Sequence, residues 1–352
     1  MYSDKNSPFR IAVTGSTGSI AGHLMPDIAK GLLNKDDRPI ELKLHVRNID
    51  DPLQTQKMIG LAKELRDHGA ITNIIATNDL EELFEDIDCA FLLGAIPRKP
   101  DQPRSSVLEP NAGIFTEQGR ALNEFAKRNA KILVVGNPSN TNALIVDSYT
   151  PDLEPNSVTS LMQLDTIRMK AKAGCKLDIP PNMIENAFAM GNHSENMVPN
   201  LDNASYRNHP LLENLPDDWY TQNFTPSIQK RGQEIGSLRK KTSSSSAAWS
   251  ALSHMNDWVN GTQGRVISMG VPSNGSYGIE EGVIFGLPVT VDDNGRIEII
   301  EDMKINPAHE YFMGESYREL LEERSRIEHL LNHEQEQVMD LDLDIENHPT
   351  PI

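Results

Sequence analysis

The chain is poor in cysteine, in aromatic residues and in positive charge, and each shortage closes off a class of protein. Cys89 and Cys175 are too few for a disulfide framework, and neither has His or Cys neighbours at metal-ligand spacing, so no metal is expected. Against 51 acidic residues stand 33 lysines and arginines, a formal charge of −18. That field repels nucleic acid and anionic membrane surfaces, and neither is expected as a partner. If the substrate is itself an anion, arginines grouped at the site must overcome the field. No apolar run approaches a membrane span, and Met1 to Arg10 is polar, without the apolar core of a signal peptide. The expectation is a cytoplasmic protein. At 352 residues the chain exceeds what one hydrophobic core usually supports, which predicts two domains.

What is present first is an alternation. Phe9 to Val13 reads as a short apolar strand, followed by Thr14-Gly15-Ser16-Thr17-Gly18-Ser19-Ile20-Ala21-Gly22 and a helix from Ser19 to Leu33, with Pro26 placed to kink it. A strand, a glycine turn and a helix N-terminus make a phosphate cradle, because glycines admit the backbone close to an anion and free N–H groups point at it. The spacing is G-x-x-G-x-x-A rather than G-x-G-x-x-G, and a tight structural turn reads equally well. Strands follow at Ile40 to Val46, Ile71 to Ala76, Cys89 to Leu93 and Lys131 to Val135, with helices at Pro52 to Asp67, Asp79 to Glu85 and Leu108 to Asn129. This alternation implies a parallel, doubly wound sheet with ligands at the strand C-terminal ends.

Dinucleotide folds place an acid at the end of the second strand to bind ribose hydroxyls. Here the strand ends His45-Val46-Arg47-Asn48, with no acid before Asp50. Arg47 could face a ribose 2′-phosphate, which leans the cofactor toward NADP; a solvated loop arginine fits as well. Gly94 to Arg104 follows a buried strand and is a candidate lid, with Arg98 and Arg104 able to swing over a cleft. A solvated Pro-rich loop is the simpler reading. Asp165 and Arg168 stand three apart in a helix predicted over Ser160 to Ala173, so both leave one face. His193 follows a strand-like run, Met183 to Met190, in a Gly-Asn turn from which it could project into a cleft. An ordinary surface ion pair and a loop histidine are the plain alternative.

Taken in order, these pieces resemble malate dehydrogenases of the cytosolic and chloroplast type, within the lactate/malate dehydrogenase superfamily. The matching stretches are Thr14 to Ala21, Gly94 to Arg104, Gly119 to Asn123, Val134 to Leu144, Leu164-Asp165 to Arg168, Gly191 to Ser194, Ser268 to Val271 and Tyr277-Gly278. The resemblance implies that His193 donates and accepts the proton, and that Asp165 orients it and stabilises its charged form. It implies that Arg168 binds the carboxylate beside the reacting carbon, that Arg104 polarises the carbonyl and that Asn137 helps hold the substrate. Arg98 occupies the position that holds the distal carboxylate and separates malate from lactate. Gly15, Ser16, Thr17, Gly18, Ser19, Ile20 and Ala21, with Asn111, Gln118, Val135, Gly136 and Asn137, would line the dinucleotide site. A homodimer is implied by the resemblance alone.

The expected function is therefore a malate dehydrogenase that transfers a hydride reversibly between a nicotinamide cofactor and a small dicarboxylate. Two departures from the family pattern bear on it. Val46 stands where NAD-dependent members carry aspartate, and Arg47-Asn48 does not reproduce the Gly-Ser of the chloroplast NADP enzymes, so NAD and NADP both stay open. The lid reads Lys-Pro-Asp-Gln-Pro-Arg instead of the usual Lys-Pro-Gly-Met-x-Arg, which predicts stiffer closure. The alternatives are another 2-hydroxy acid dehydrogenase, an NAD-dependent glycosidase with a metal-binding Cys/His pair, and a catalytically weak nucleotide-binding relative.

The second half predicts an α+β catalytic domain after the Rossmann-type one. Pro199 to Asp218 reads as loop, Thr225 to Lys240 and Ser243 to Trp258 as helices, the latter a small-residue wall for the substrate pocket. Strands at Arg265 to Gly270, Gly282 to Val291 and Arg296 to Ile300 form an antiparallel element, the last two joined by the hairpin turn Asp292-Asp293-Asn294-Gly295. Met313 to Asn332 carries a helical apolar stripe. The expected domains are 1–160 with a mobile loop at 94–107, 161–332, and an acidic tail at 333–352 that either frays or docks across a subunit interface.

Overall fold

The computed structural model describes residues 7–34, 37–96, 107–216 and 218–331. The alternating pattern of the first half folds as β1 (Phe9–Thr14), α1 (Ser19–Ala29), β2 (Ile40–His45), α2 (Pro52–Arg66), β3 (Ile71–Thr77), α3 (Leu80–Phe84), β4 (Cys89–Leu92), α4 (Leu108–Phe125), β5 (Lys131–Val134), α5 (Ser139–Ser148) and β6 (Val158–Ser160). The central strands are buried on both faces, as strands covered by helices on each side must be. Reading across the sheet, the order runs β3-β2-β1-β4-β5-β6, all parallel. The chain thus leaves β1 in opposite directions along the sheet, and the crevice between β1 and β4 opens at their C-terminal ends.

The second half comprises α6 (Gln163–Leu177), β7 (Ile184–Glu185), β8 (Phe188–Met190), β9 (Val198–Asn200), β10 (Ser205–Tyr206), β11 (His209–Pro210), α7 (Thr225–Gln229), α8 (Arg231–Arg239), α9 (Ser245–Asn260), β12 (Ile267–Pro272), β13 (Ile284–Val291), β14 (Ile297–Ile299) and α10 (Pro307–Leu331). The antiparallel strands do not stand apart. β12 joins β6 through Gly270 opposite Ser160, and β13 and β14 extend the same sheet to nine strands. The two halves therefore share one continuous backbone ladder, with Phe285 and Leu287 of β13 and Trp258 of α9 buried beside it. Smaller sheets pair β8 with β9, and β7 and β11 with β10.

Several predicted boundaries move, each for a local reason. The helix expected from Ser160 begins at Gln163, because Ser160 is held in β6 by pairing with Val134 and Gly270. The run Met183 to Met190 is not one strand: Asn186 adopts φ 53, a left-handed turn that separates β7 from β8. The helix predicted over Thr225 to Lys240 breaks at Lys230 into α7 and α8. α1 stops at Ala29, four residues short, with Pro26 in its last turn. The supposed loop of Pro199 to Asp218 contains β10 and β11, and Tyr220 just beyond it is buried, its hydroxyl taking the Leu201 N–H at 2.8 Å. The tail 333–352 lies outside the described residues.

Candidate active site

At the switch of the sheet, Gly15 and Gly94 bring the ends of β1 and β4 together. Gly15 has φ +62, and a Cβ there would lie 2.8 Å from both Cα and N of Gly94, so no side chain fits. The Gly94 N–H donates to Thr14 Oγ1 at 3.2 Å, closing the crevice floor. Beyond it Thr17, Gly18 and Ser19 are exposed and lead into α1, whose N-terminus has no side-chain cap. Uncapped N–H groups in an open glycine turn are what a phosphate anion requires, so the turn from Gly15 to Ala21 fits a dinucleotide.

The other predicted cofactor residues distribute around this turn. Ser16 Oγ donates to the His45 carbonyl at 2.6 Å, tying the turn to the end of β2. Val46 is buried, and Arg47 stands exposed just beyond it. Burial, with the Arg47 charge adding to it, holds the His45 imidazole below its ordinary pKa. Asn111 acts as a staple: its Oδ1 takes the Ile96 N–H at 2.6 Å, and its Nδ2 donates to the carbonyls of Ile96 and Asn137, each at 3.3 Å. It thereby joins the turn after β4 to the turn after β5. Val135 and Gly136 are buried there, Asn137 is exposed, and Gln118 is buried in α4 with an unpartnered Oε1. Of the predicted lid 94–107, only 94–96 and 107 fall among the described residues; Arg98 and Arg104 lie outside them.

Asp165, Arg168 and His193 meet on the second half. Asp165 sits in the first turn of α6, where the helix dipole favours a carboxylate, and Arg168 follows one turn later on the same face. The Arg168 Nη1 donates to Asp165 Oδ1 at 3.2 Å, and the His193 Nδ1 lies 2.6 Å from Asp165 Oδ2. Burial alone would raise the Asp165 carboxyl, but the His193 charge and hydrogen bond, joined by the Arg168 guanidinium, outweigh it and hold the group below the usual carboxylate range. Arg168 Nη2 donates to Ser243 Oγ at 3.1 Å, just ahead of α9, while Arg168 Nε is buried without a partner. An oxyanion arriving beside that guanidinium would satisfy it.

His193 reaches this position through β8 and a glycine contact. The backbones of Gly191 and Gly286 exchange hydrogen bonds of 3.0 and 2.8 Å, and a Cβ on Gly286 would press to 2.7 Å from the Gly191 carbonyl. The next residues carry the imidazole toward α6. Its backbone N–H is held by Asn140 Oδ1 at 3.1 Å. Asn140 belongs to α5, and its role was not apparent from the sequence, where it is one amide in an amide-rich stretch. Ser243 also escaped notice individually, although the small-residue segment that contains it was expected at the pocket wall. Cys175 stays exposed on α6, and among the described residues no group of three His, Cys, Asp or Glu side chains could hold a metal.

A doubly wound sheet with an open phosphate turn, together with an imidazole–carboxylate–guanidinium set in the same chain, defines a dinucleotide-dependent oxidoreductase. Comparison with known proteins narrows the class. Residues 9–158 match the NAD binding domain of lactate/malate dehydrogenase, and residues 162–331 match its alpha/beta C-terminal domain. The chain belongs to the lactate/malate dehydrogenase family. It is 34% identical to a malate dehydrogenase from Naegleria fowleri, with TM-score 0.85, covering 92% of this chain and 99% of that one. It is 32% identical to a lactate dehydrogenase from Trichomonas vaginalis, solved with NADH and oxamate, with TM-score 0.84 and coverage of 92% and 99%. A malate dehydrogenase from Picrophilus torridus, 20% identical at TM-score 0.78 and covered to 93% and 100%, shares the fold.

Proposed function

We propose that this family member is a malate dehydrogenase, interconverting malate and oxaloacetate with NAD or NADP, and that His193 is its proton donor and acceptor. The observation that carries the reading is the 2.6 Å contact of His193 Nδ1 with Asp165, on a carboxylate that also receives Arg168. With Nδ1 held there, proton exchange with substrate falls to Nε2. Asp165 fixes the ring's orientation through that contact. Arg168 binds the carboxylate next to the reacting carbon, its buried Nε contributing a donor. A bound dinucleotide supplies or takes up the hydride. As the carbonyl carbon is reduced, the proton leaves His193 Nε2 for the carbonyl oxygen, and oxidation of malate returns it.

Substrate choice rests on a second cation. The sequence provides Arg98 for a distal carboxylate and Arg104 for the carbonyl, and a dicarboxylate is the ligand that uses Arg98 and Arg168 together. Asn137 helps hold the substrate from the turn after β5. Arg47, exposed beyond β2 with no acid beside it, supports NADP over NAD. A cytoplasmic location and a homodimer are part of the same proposal, and the exposed Ile59 and Trp249 on α2 and α9 support the dimer. The departure of the lid from the malate pattern, with 32% identity to a lactate dehydrogenase, favours a pyruvate-reducing enzyme as the second reading.

Steady-state oxidation of NADH and NADPH with oxaloacetate and with pyruvate tests the proposal. Oxaloacetate is expected to be preferred in kcat/KM by about a hundredfold or more, since a monocarboxylate offers no second carboxylate for the Arg98 guanidinium. The reverse preference establishes the second reading, and an Arg98→Gln variant with unchanged selectivity removes Arg98 from the substrate contact.

A further inference from the structure

His193 is supported from behind as well as in front, and the support comes from the last described helix. Asn192 and Ser194, the residues on either side of the histidine, both donate to one carboxylate oxygen of Glu319: Asn192 Nδ2 at 3.0 Å and Ser194 Oγ at 2.5 Å. The Asn192 backbone N–H donates to Ser316 Oγ at 2.6 Å. Ser316 gets this close because residue 191 is glycine, where a Cβ would collide with that hydroxyl. One turn beyond Glu319, Glu323 receives the hydroxyl of Thr141, the neighbour of Asn140. Ser316, Glu319 and Glu323 are spaced three and four apart and so share one face of α10.

We propose that Glu319 is a positioning residue for His193. It clamps both neighbours of the histidine and thereby holds the imidazole within reach of Asp165. This deepens the dehydrogenase reading and rests on it for its consequence in turnover. A proton donor held on a loop needs its backbone fixed to a fraction of an ångström, and loop backbone alone does not supply that. Asn140 restrains the His193 N–H from the α5 side, and Ser316 restrains the Asn192 N–H from α10. The two donors converging on a single oxygen of Glu319 add a side-chain restraint on each side of the histidine. Because both contacts reach only an acceptor oxygen, glutamine can replace glutamate with its amide oxygen in the same place.

The test compares Glu319→Ala, Glu319→Gln and, as a matched destabilised control, Leu320→Ala, which removes a buried apolar side chain from the same helix but no hydrogen bond to the loop. Each variant is measured for melting temperature, dinucleotide affinity, kcat and KM. The N–H proton resonance of the His193–Asp165 hydrogen bond, assigned by its loss in His193→Gln, is followed by NMR. Expected for Glu319→Ala is a kcat lower by about tenfold to a hundredfold, with KM and dinucleotide affinity within about twofold of wild type and the resonance broadened or lost. Glu319→Gln restores both, and Leu320→Ala keeps both despite its lower melting temperature. The proposal is overturned if Glu319→Ala keeps kcat and the resonance, if Leu320→Ala loses them equally, or if glutamine rescues neither. If the wild-type chain reduces neither oxaloacetate nor pyruvate, the dehydrogenase reading falls and the resonance alone decides the positioning.

Discussion

Asn140 links His193 to a strand at the far side of the sheet. Its Oδ1 takes the His193 N–H at 3.1 Å, while its Nδ2 donates to the Ile284 carbonyl at 3.0 Å. The same side chain thus reads the position of β13 and transmits it to the histidine loop, across the junction where the parallel and antiparallel strands meet. Asn140→Ala leaves the buried Ile284 carbonyl and the His193 N–H without this partner, a loss of about 1–3 kcal/mol. Chemical denaturation checks that magnitude, and stopped-flow turnover should fall more than the loss of folded protein explains. A variant of reduced stability but unaltered turnover would mean that the loop keeps its place without Asn140.

Removing the imidazole and removing its acid should separate chemistry from binding. His193→Ala is expected to abolish turnover while NADH or NADPH still binds, because the phosphate turn lies on the other half of the sheet. Asp165→Asn keeps the shape but loses the charge, and is expected to lower kcat by about a hundredfold or more. It also carries a pH signature. The folded Asp165 carboxyl is held below its unfolded value, so its ionised form stabilises the fold above the unfolded pKa, and that contribution is lost as pH falls through the lower folded value. The stability gap between wild type and Asp165→Asn should therefore be widest above about pH 4 and narrow in stronger acid. A gap that grows on acidification contradicts the assignment. Fluorescence titration of the dinucleotide and denaturation from neutral to acid pH provide both readings.

Much of this site could be read in the chain itself, where the signal is local. A glycine turn directly after an apolar strand announces β1 and its phosphate turn. A spacing of three on a helix is enough to put Asp165 and Arg168 side by side. The parts that escaped depend on partners far along the chain. β6 is only three residues long and shows no periodicity, so the sequence assigns Ser160 to the helix that follows; pairing with both β5 and β12 decides otherwise. Asn140 looks like any amide in its run until residues 193 and 284 fold against it. The antiparallel strands were recognisable by their hairpin turn, but nothing in their own residues says that they would continue the first sheet instead of forming another.

The approach of Gly15 to Gly94 gives a third expectation. Gly15→Ala places a Cβ 2.8 Å from the Gly94 backbone at φ +62, so it strains the turn and displaces backbone where side-chain motion offers no relief. The variant should lose about 1–3 kcal/mol of stability and bind dinucleotide more weakly than wild type. Differential scanning fluorimetry with and without NADH measures both at once. Wild type should gain melting temperature on adding cofactor, and Gly15→Ala should gain less. Equal gains would show that the turn does not hold the phosphates.

Asp147 on α5 offers a test of electrostatics away from the imidazole. Burial pushes its carboxyl up to about 6, without an ion pair to offset the desolvation. The sign follows from linkage. A folded value above the unfolded one means that the fold favours the protonated acid, so this stabilisation is fully present below the unfolded pKa and disappears as pH rises through the folded value. Asp147→Asn replaces the acid with a neutral group of the same shape and cannot lose that contribution. At about pH 4 the two proteins should be nearly equal in stability, and by about pH 7 the asparagine variant should be the more stable, by at most about 3 kcal/mol. Urea denaturation at intervals between those values should show the advantage appearing mainly between about pH 4 and 6. An advantage independent of pH would point to altered packing in α5, and a disadvantage at neutral pH would mean that the charged carboxylate has a stabilising partner.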